Sequence, residues 1–147
     1  MAQPQPKSQS TVLSPSRAHH LATANILTIF SNKDPKSRLA AMPDIYASDI
    51  VVYEPDGAVL HGHEGVNNQV SNLLAEREGW AFTVTGEVKH NQDFVGVTWG
   101  FGPQGDDGKV DVKATGSDAI IVEKGEDGEV RIKTLYVIID GLADAKA

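Results

Sequence analysis

The stretch Gly116–Asp140, GSDAIIVEKGEDGEVRIKTLYVIID, reads as two strand-like runs joined by a tight turn. The runs are Val110–Glu123 and Val130–Asp140, rich in β-branched residues, and Gly125-Glu126-Asp127-Gly128 between them carries the glycines and acids of a reversal. In the second run Leu135, Val137 and Ile139 alternate with Tyr136 and Ile138, so it is apolar on both faces, as a buried or partnered strand is. Working back along the chain, Phe94–Phe101 and Trp80–His90 have the same character. His90-Asn91-Gln92-Asp93 and Pro103-Gln104-Gly105-Asp106-Asp107-Gly108 punctuate them. Connections this short predict a four-strand antiparallel meander.

Before Trp80 the period changes to that of helices. Ala22, Ile26, Ile29 and Phe30 fall at i, i+4, i+7 and i+8, which predicts a helix from about Ser16 to Ser31-Asn32. Asp34-Pro35 reads as the cap and first turn of a second, with Leu39, Met42 and Tyr46 on one side and Pro43 either kinking it or starting a fresh turn. Lys33, Lys36 and Arg38 read as its solvated face. Ile50–Pro55 is a short strand ending in a Pro55-Asp56-Gly57 turn. A third helix, about His63 to Arg77, places Val66, Val70, Leu73 and Leu74 on one face. Helical segments followed by a long antiparallel sheet make an α+β order, with the helices covering the sheet's inner face. The expected organisation is a disordered tail over 1–15, one domain over 16–141 and a short tail over 142–147.

Composition narrows the function. A chain of 147 residues with 40% hydrophobic content can bury one core without metals or cross-links. The absence of cysteine excludes disulfides, thiolate zinc sites and thiol catalysis. A net charge of −7 with scattered bases argues against a nucleic-acid or anionic-membrane surface. No apolar run is long enough to span a bilayer, and no secretory signal is visible, so a cytoplasmic location is the default expectation.

Alternation along the strand from Val110 isolates one residue. The set Val110, Val112, Ala114, Gly116, Asp118, Ile120 and Val122 is the apolar, buried face, and Asp118 lies in its middle. A carboxyl group there is desolvated, its pKa rises, and it becomes fit for proton transfer near neutral pH. The alternatives are a structural aspartate bonded to backbone or to Tyr136, or a bulge at Gly116 that turns Asp118 outward. Trp80, Phe82, Val84 and Val88 share one parity, and Val95, Val97, Trp99 and Phe101 share another. These aromatic rows are core, pocket wall or both.

Other patterns carry less. His61-Gly62-His63-Glu64 has zinc-binding residue types but no evident third ligand beyond the distant His90. A cap or a polar pocket rim fits His63 better, and no metal is expected. His90 beside a turn reads as exposed. Gly100-Phe101-Gly102-Pro103-Gln104-Gly105 spells the letters of a dinucleotide loop, but a strand rather than a helix follows it, so it is a hairpin turn.

The order of elements, with DIVVYEPDG, GHEGVNNQVSNLL, VTWGFGP and GSDAIIVEKGEDGEVRIKTLYVIID, resembles the nuclear-transport-factor-2-like superfamily over about residues 17–141. SnoaL-like polyketide cyclases and ketosteroid isomerases are the nearest members in feel. The resemblance implies a cystatin-like, cone-shaped antiparallel sheet wrapped around three helical segments, a small-molecule pocket and a homodimer formed through the sheet. From the isomerases it carries over a general base, matched by Glu54 before Pro55, and a protonated aspartic acid, matched by Asp118. Their oxyanion-donating tyrosine falls near Ile26, which cannot donate; Tyr46, Tyr53 and Tyr136 are the available substitutes. The expectation is a cofactor-free isomerase, cyclase or lyase acting by proton transfer on a hydrophobic, carbonyl-bearing metabolite. Asp118 and Glu54 handle the proton, and Trp99, Tyr53, Phe82, Ile26 and His63 contact the substrate. The alternative is a non-catalytic ligand-binding or dimerisation module.

Overall fold

The computed structural model describes residues 13–141, so the tails expected over 1–15 and 142–147 lie outside it except for residues 13–15. Helix α1 (Pro15–Ala24) starts one residue earlier than expected. The Ser14 hydroxyl accepts from the Arg17 N–H at 3.1 Å, and Pro15 occupies the first turn, where a missing N–H costs nothing. The helix then widens into a π-helical segment, Asn25–Phe30, in which the Ser31 N–H reaches the Ile26 carbonyl at 3.0 Å. The wide turn puts Asn25, Ile26, Ile29 and Phe30 all inside.

Helix α2 (Pro35–Ile45) is capped by Asp34, whose carboxylate accepts the Lys36 N–H at 3.0 Å. Pro43 does not divide it: it sits in the last turn, and its carbonyl accepts from Arg131 Nε at 2.6 Å. Arg38 departs from the expected solvated face. It is 1% exposed, and its guanidinium donates to the Asn67 side chain at 2.8 Å, the Asn67 carbonyl at 3.1 Å, the Asn32 carbonyl at 2.6 Å and the Ser71 hydroxyl. It thereby bonds α2 to helix α3 (Gly62–Glu76).

Strands β1 (Tyr46–Tyr53), β2 (Val59–His61), β3 (Trp80–Val84), β4 (Lys89–Asn91), β5 (Phe94–Pro103), β6 (Ala114–Lys124) and β7 (Val130–Ile139) form one curved sheet. Its order is β2-β1-β7-β6-β5-β3, with β4 also paired to β5. Every pairing is antiparallel except β1 with β7, which is parallel. The meander differs from expectation in two places. The run Trp80–His90 is broken between β3 and β4, and residues 110–113 leave the regular ladder of β6 while staying bonded to β5, the Asp111 N–H to the Pro103 carbonyl at 2.8 Å and the Lys113 N–H to the Phe101 carbonyl at 2.9 Å. Gly100 and Gly102 permit that close approach, because a Cβ on Gly102 would collide with the Asp111 carbonyl and one on Gly100 with the Val112 side chain. Inward alternation therefore begins at Ala114, and Val112 is exposed.

Beyond that point the alternation holds: Gly116, Asp118, Ile120 and Val122 are buried, and Gly116 hosts no bulge that turns Asp118 outward. Leu21, Ile29, Val66 and Val70 from the helices meet Ile50, Val95, Ile120 and Leu135 from the sheet in a single core.

Candidate functional site

At one end of that core the helices and sheet part around a cavity of about 640 Å³, within the ordinary range of small-molecule sites. The π-helical segment contributes Ile26 and Phe30, and α3 contributes Gln69 and Leu73. Trp80, Phe82, Trp99 and Phe101 make an aromatic wall from β3 and β5, while Asp118, Val137 and Ile139 come from β6 and β7. Phe82 stacks on Phe101 with centroids 4.1 Å apart and meets Trp99 edge-on at 5.3 Å. Exposed Asp56, Glu76, Arg77 and Lys113 mark the mouth.

Asp118 is 5% exposed. Trp99 Nε1–H donates to its Oδ1 at 3.0 Å, and Asn25 Nδ2–H donates to its Oδ2 at 3.1 Å. Gly116 makes the first contact possible. Trp99 and Gly116 are cross-strand partners, and a Cβ at residue 116 would collide with the indole ring. The bare backbone lets the indole lie across β6 and reach the carboxyl two residues on. Burial raises the Asp118 pKa to about 7 against the opposing pull of the two donors, and the nearby Glu54 charge adds to the rise.

Glu54 follows the last residue of β1 and is held by a tight turn: its N–H bonds the Ala58 carbonyl at 2.9 Å, and Gly57, at φ +95°, closes the loop. Because Tyr53 pairs with Tyr136 in parallel, Glu54 comes alongside Val137, which is itself the cross-strand partner of Asp118. The two carboxyl residues thus flank Val137 on the cavity side. Burial raises the Glu54 pKa, the Asp56 charge adds to this, and a hydrogen bond from Gln69 opposes it.

Of the residues expected at a site, Asp118, Glu54, Trp99, Phe82 and Ile26 line this one cavity. Tyr53 and His63 do not. Tyr53 is 40% exposed on the outer sheet face, stacked on Tyr136 at 4.9 Å, because its parity along β1 is outward. His63 lies behind β1, where its Nε2 donates to the Ala47 carbonyl at 3.1 Å. Tyr136, named as a possible partner of Asp118, is on the wrong face to reach it. Tyr46 is buried, and its hydroxyl donates to Asn25 Oδ1, so it approaches Asp118 only through Asn25.

Asn25 is the residue that sequence reasoning missed. The signal was present: Leu21, Asn25 and Ile29 are spaced i, i+4, i+8, so a polar side chain interrupts an apolar face, as Asp118 does on its strand. Among the described residues no three His, Asp or Glu side chains stand close enough to hold a metal ion, and no helix is long and apolar enough to cross a membrane.

No protein-family model and no curated protein sequence matches the chain. Solved structures do. A proposed isomerase of the SnoaL-like family from Agrobacterium tumefaciens superposes with a TM-score of 0.70 at 19% identity, over 86% of this chain and 99% of that one. An uncharacterised protein with a cystatin-like fold from Caulobacter vibrioides gives 0.64 at 14% identity, over 90% and 94%. A nuclear-transport-factor-2-like design with a long sheet gives 0.53 at 11% identity, over 84% and 99%. The chain therefore has the nuclear-transport-factor-2-like, or cystatin-like, α+β fold.

Proposed function

We propose that the protein is an isomerase, cyclase or lyase that moves a proton on a hydrophobic, carbonyl-bearing small molecule without a bound cofactor, with Asp118 as the acid–base group. The observation that carries this reading is a carboxyl with a pKa of about 7 on the inner wall of an aromatic-lined cavity. A base is most effective when its pKa lies near the working pH. In the carboxylate form Asp118 takes a proton from the carbon next to the carbonyl. The C–H electron pair moves onto the carbonyl oxygen to give an enolate, and protonated Asp118 returns the proton at the same or another carbon. Gln69, which already donates to Glu54, has a second amide N–H to offer the enolate oxygen. Glu54 is the second carboxyl group; its charge raises the affinity of Asp118 for the transferred proton.

The test is solvent exchange. Aromatic ketones, β-diketones and cyclic enones are incubated with the protein in D₂O, and loss of the α-proton NMR signal is followed. Exchange should exceed that in buffer for at least one class and vanish in Asp118→Asn with the fold intact. Exchange as fast in Asp118→Asn as in the unaltered protein would overturn the role of Asp118.

A second reading, a binding module with a structural Asp118, draws on the full satisfaction of that carboxyl: among the described residues no buried side-chain polar atom lacks a partner. It predicts ligand quenching of Trp99 fluorescence with no exchange on any member of the panel.

We also propose that two copies pair through the outer sheet face. Tyr53, Phe94, Tyr136 and Ile138 are each 40% or more exposed there. Registry places Tyr53 beside Tyr136, Tyr136 beside Ala119, and Phe94 beside Ile121, so the apolar surface is continuous across four strands.

A further inference from the structure

Both oxygens of Asp118 meet N–H groups, and neither N–H can accept a proton in return. The indole nitrogen of Trp99 is a donor only, and Asn25 presents its amide nitrogen, not its oxygen. The orientation of the Asn25 amide is set on its far side. The buried Tyr46 hydroxyl donates to Asn25 Oδ1, which leaves Nδ2 facing the carboxyl. Burial and the neighbouring acids hold the Tyr46 pKa far above its ordinary value, so its proton is always present to donate.

The chain Tyr46 O–H, Asn25 amide, Asp118 carboxyl therefore runs in one direction, with every donor aimed at the carboxyl. A carboxylic acid whose task was to donate would be better served by an acceptor at one of these places. The backbone supports the arrangement: Asn25 opens the π-helical segment, and such turns, costly in an otherwise regular helix, occur frequently at functional sites.

We propose that Asn25 and Tyr46 are a positioning pair that favours the carboxylate form of Asp118, so that it enters the reaction as a base, taking a proton from the substrate carbon, and does not act as an acid towards the carbonyl oxygen. This rests on the proton-transfer reading above and inverts the role that the ketosteroid isomerase resemblance assigns to Asp118. The groups around the carboxyl are few. Tyr46 of β1 lies behind Asn25, Glu54 approaches from the turn after β1, neutral Asn25 from the π-helical segment, neutral Trp99 from β5 and apolar Val137 from β7. Glu54 opposes ionisation; Asn25 and Trp99 favour it.

The indole N–H resonance of Trp99 reports the ionisation of its own acceptor, and that of Trp80, the second of the two tryptophans, is the internal control. In ¹⁵N-labelled protein titrated from acid to alkaline pH, the Trp99 resonance should move with a midpoint near 7, and Asp118→Asn should abolish that movement. Asn25→Leu, which removes the amide donor at similar volume, should raise the midpoint by about one pH unit, and Tyr46→Phe should raise it by less. A midpoint unchanged or lowered in folded Asn25→Leu overturns the proposal. If that variant fails to fold, an unchanged or lowered midpoint in Tyr46→Phe does so instead.

The titration needs no substrate, so its outcome is separate from that of the exchange assay. Where exchange is found, its rate should rise with pH through the same midpoint, and the profile should move upward with the variants. A rate that falls as pH rises would make Asp118 a donor.

Discussion

Desolvation and hydrogen bonding pull the Asp118 carboxyl in opposite directions, and desolvation prevails, since its pKa rises from 3.8 to about 7. The consequence for stability has a definite sign. An unfolded chain gives up this proton near 3.8, whereas the folded protein keeps it to about 7, so across that window the native state binds more protons. Stability from this residue is complete below pH 3.8, declines as pH rises and is flat above the folded pKa. Relative to Asp118→Asn, which does not titrate, the protein should lose on the order of 4 kcal/mol between about pH 4 and pH 7. Urea unfolding of both proteins at a series of pH values and one protein concentration measures the difference. A difference that does not vary with pH would mean that Asp118 titrates alike in both states. The alternation of residues along its own strand is enough to mark Asp118 as a buried acid. Its partners are not legible in the same way, because Trp99 reaches it only across the bare backbone of Gly116, and Asn25 only from a helix distant in sequence.

Among the elements, the contact between α2 and α3 depends on a buried cation. Arg38 reads as solvated in the sequence because it stands with Lys33 and Lys36, and a charge cluster at a helix start normally faces water. Its contacts to Asn32, Asn67 and Ser71 instead use the guanidinium's fixed fork of donors. Arg38→Leu would strip the donors from a buried amide oxygen and two carbonyls. It should cost about 2–4 kcal/mol, read as a lowered urea midpoint. A loss below about 0.5 kcal/mol, ordinary for a surface position, would contradict the burial. The helices themselves are legible from apolar spacing, but the π-helical widening after Ala24 is not, because a segment of 6 residues is too short to display a period of its own.

At the scale of the whole molecule, β1 and β7 run parallel, and this pairing brings Glu54 to the cavity while turning Tyr53 and Tyr136 outward. The last strand is apolar on both faces, as its sequence predicts. The division is that Leu135, Val137 and Ile139 face the core and cavity, while Tyr136 and Ile138 face out. If the outer face pairs two copies, the protein should sediment as a dimer at micromolar concentration and Tyr136→Glu as a monomer, with no change in the Trp99 titration. A monomer in the unaltered protein would exclude the pairing. The sequence by itself determined the α+β order, the inward face of the strand from Ala114 onward and the misplaced acid at Asp118, because these follow from periods of 2 and 3.6 within single segments. Only the tertiary structure decided which groups surround that acid, which tyrosine reaches towards it and which end of the core opens. Those outcomes depend on contacts between segments up to 93 residues apart, on glycines whose worth lies in what packs against them, and on a parallel pairing that no local pattern encodes.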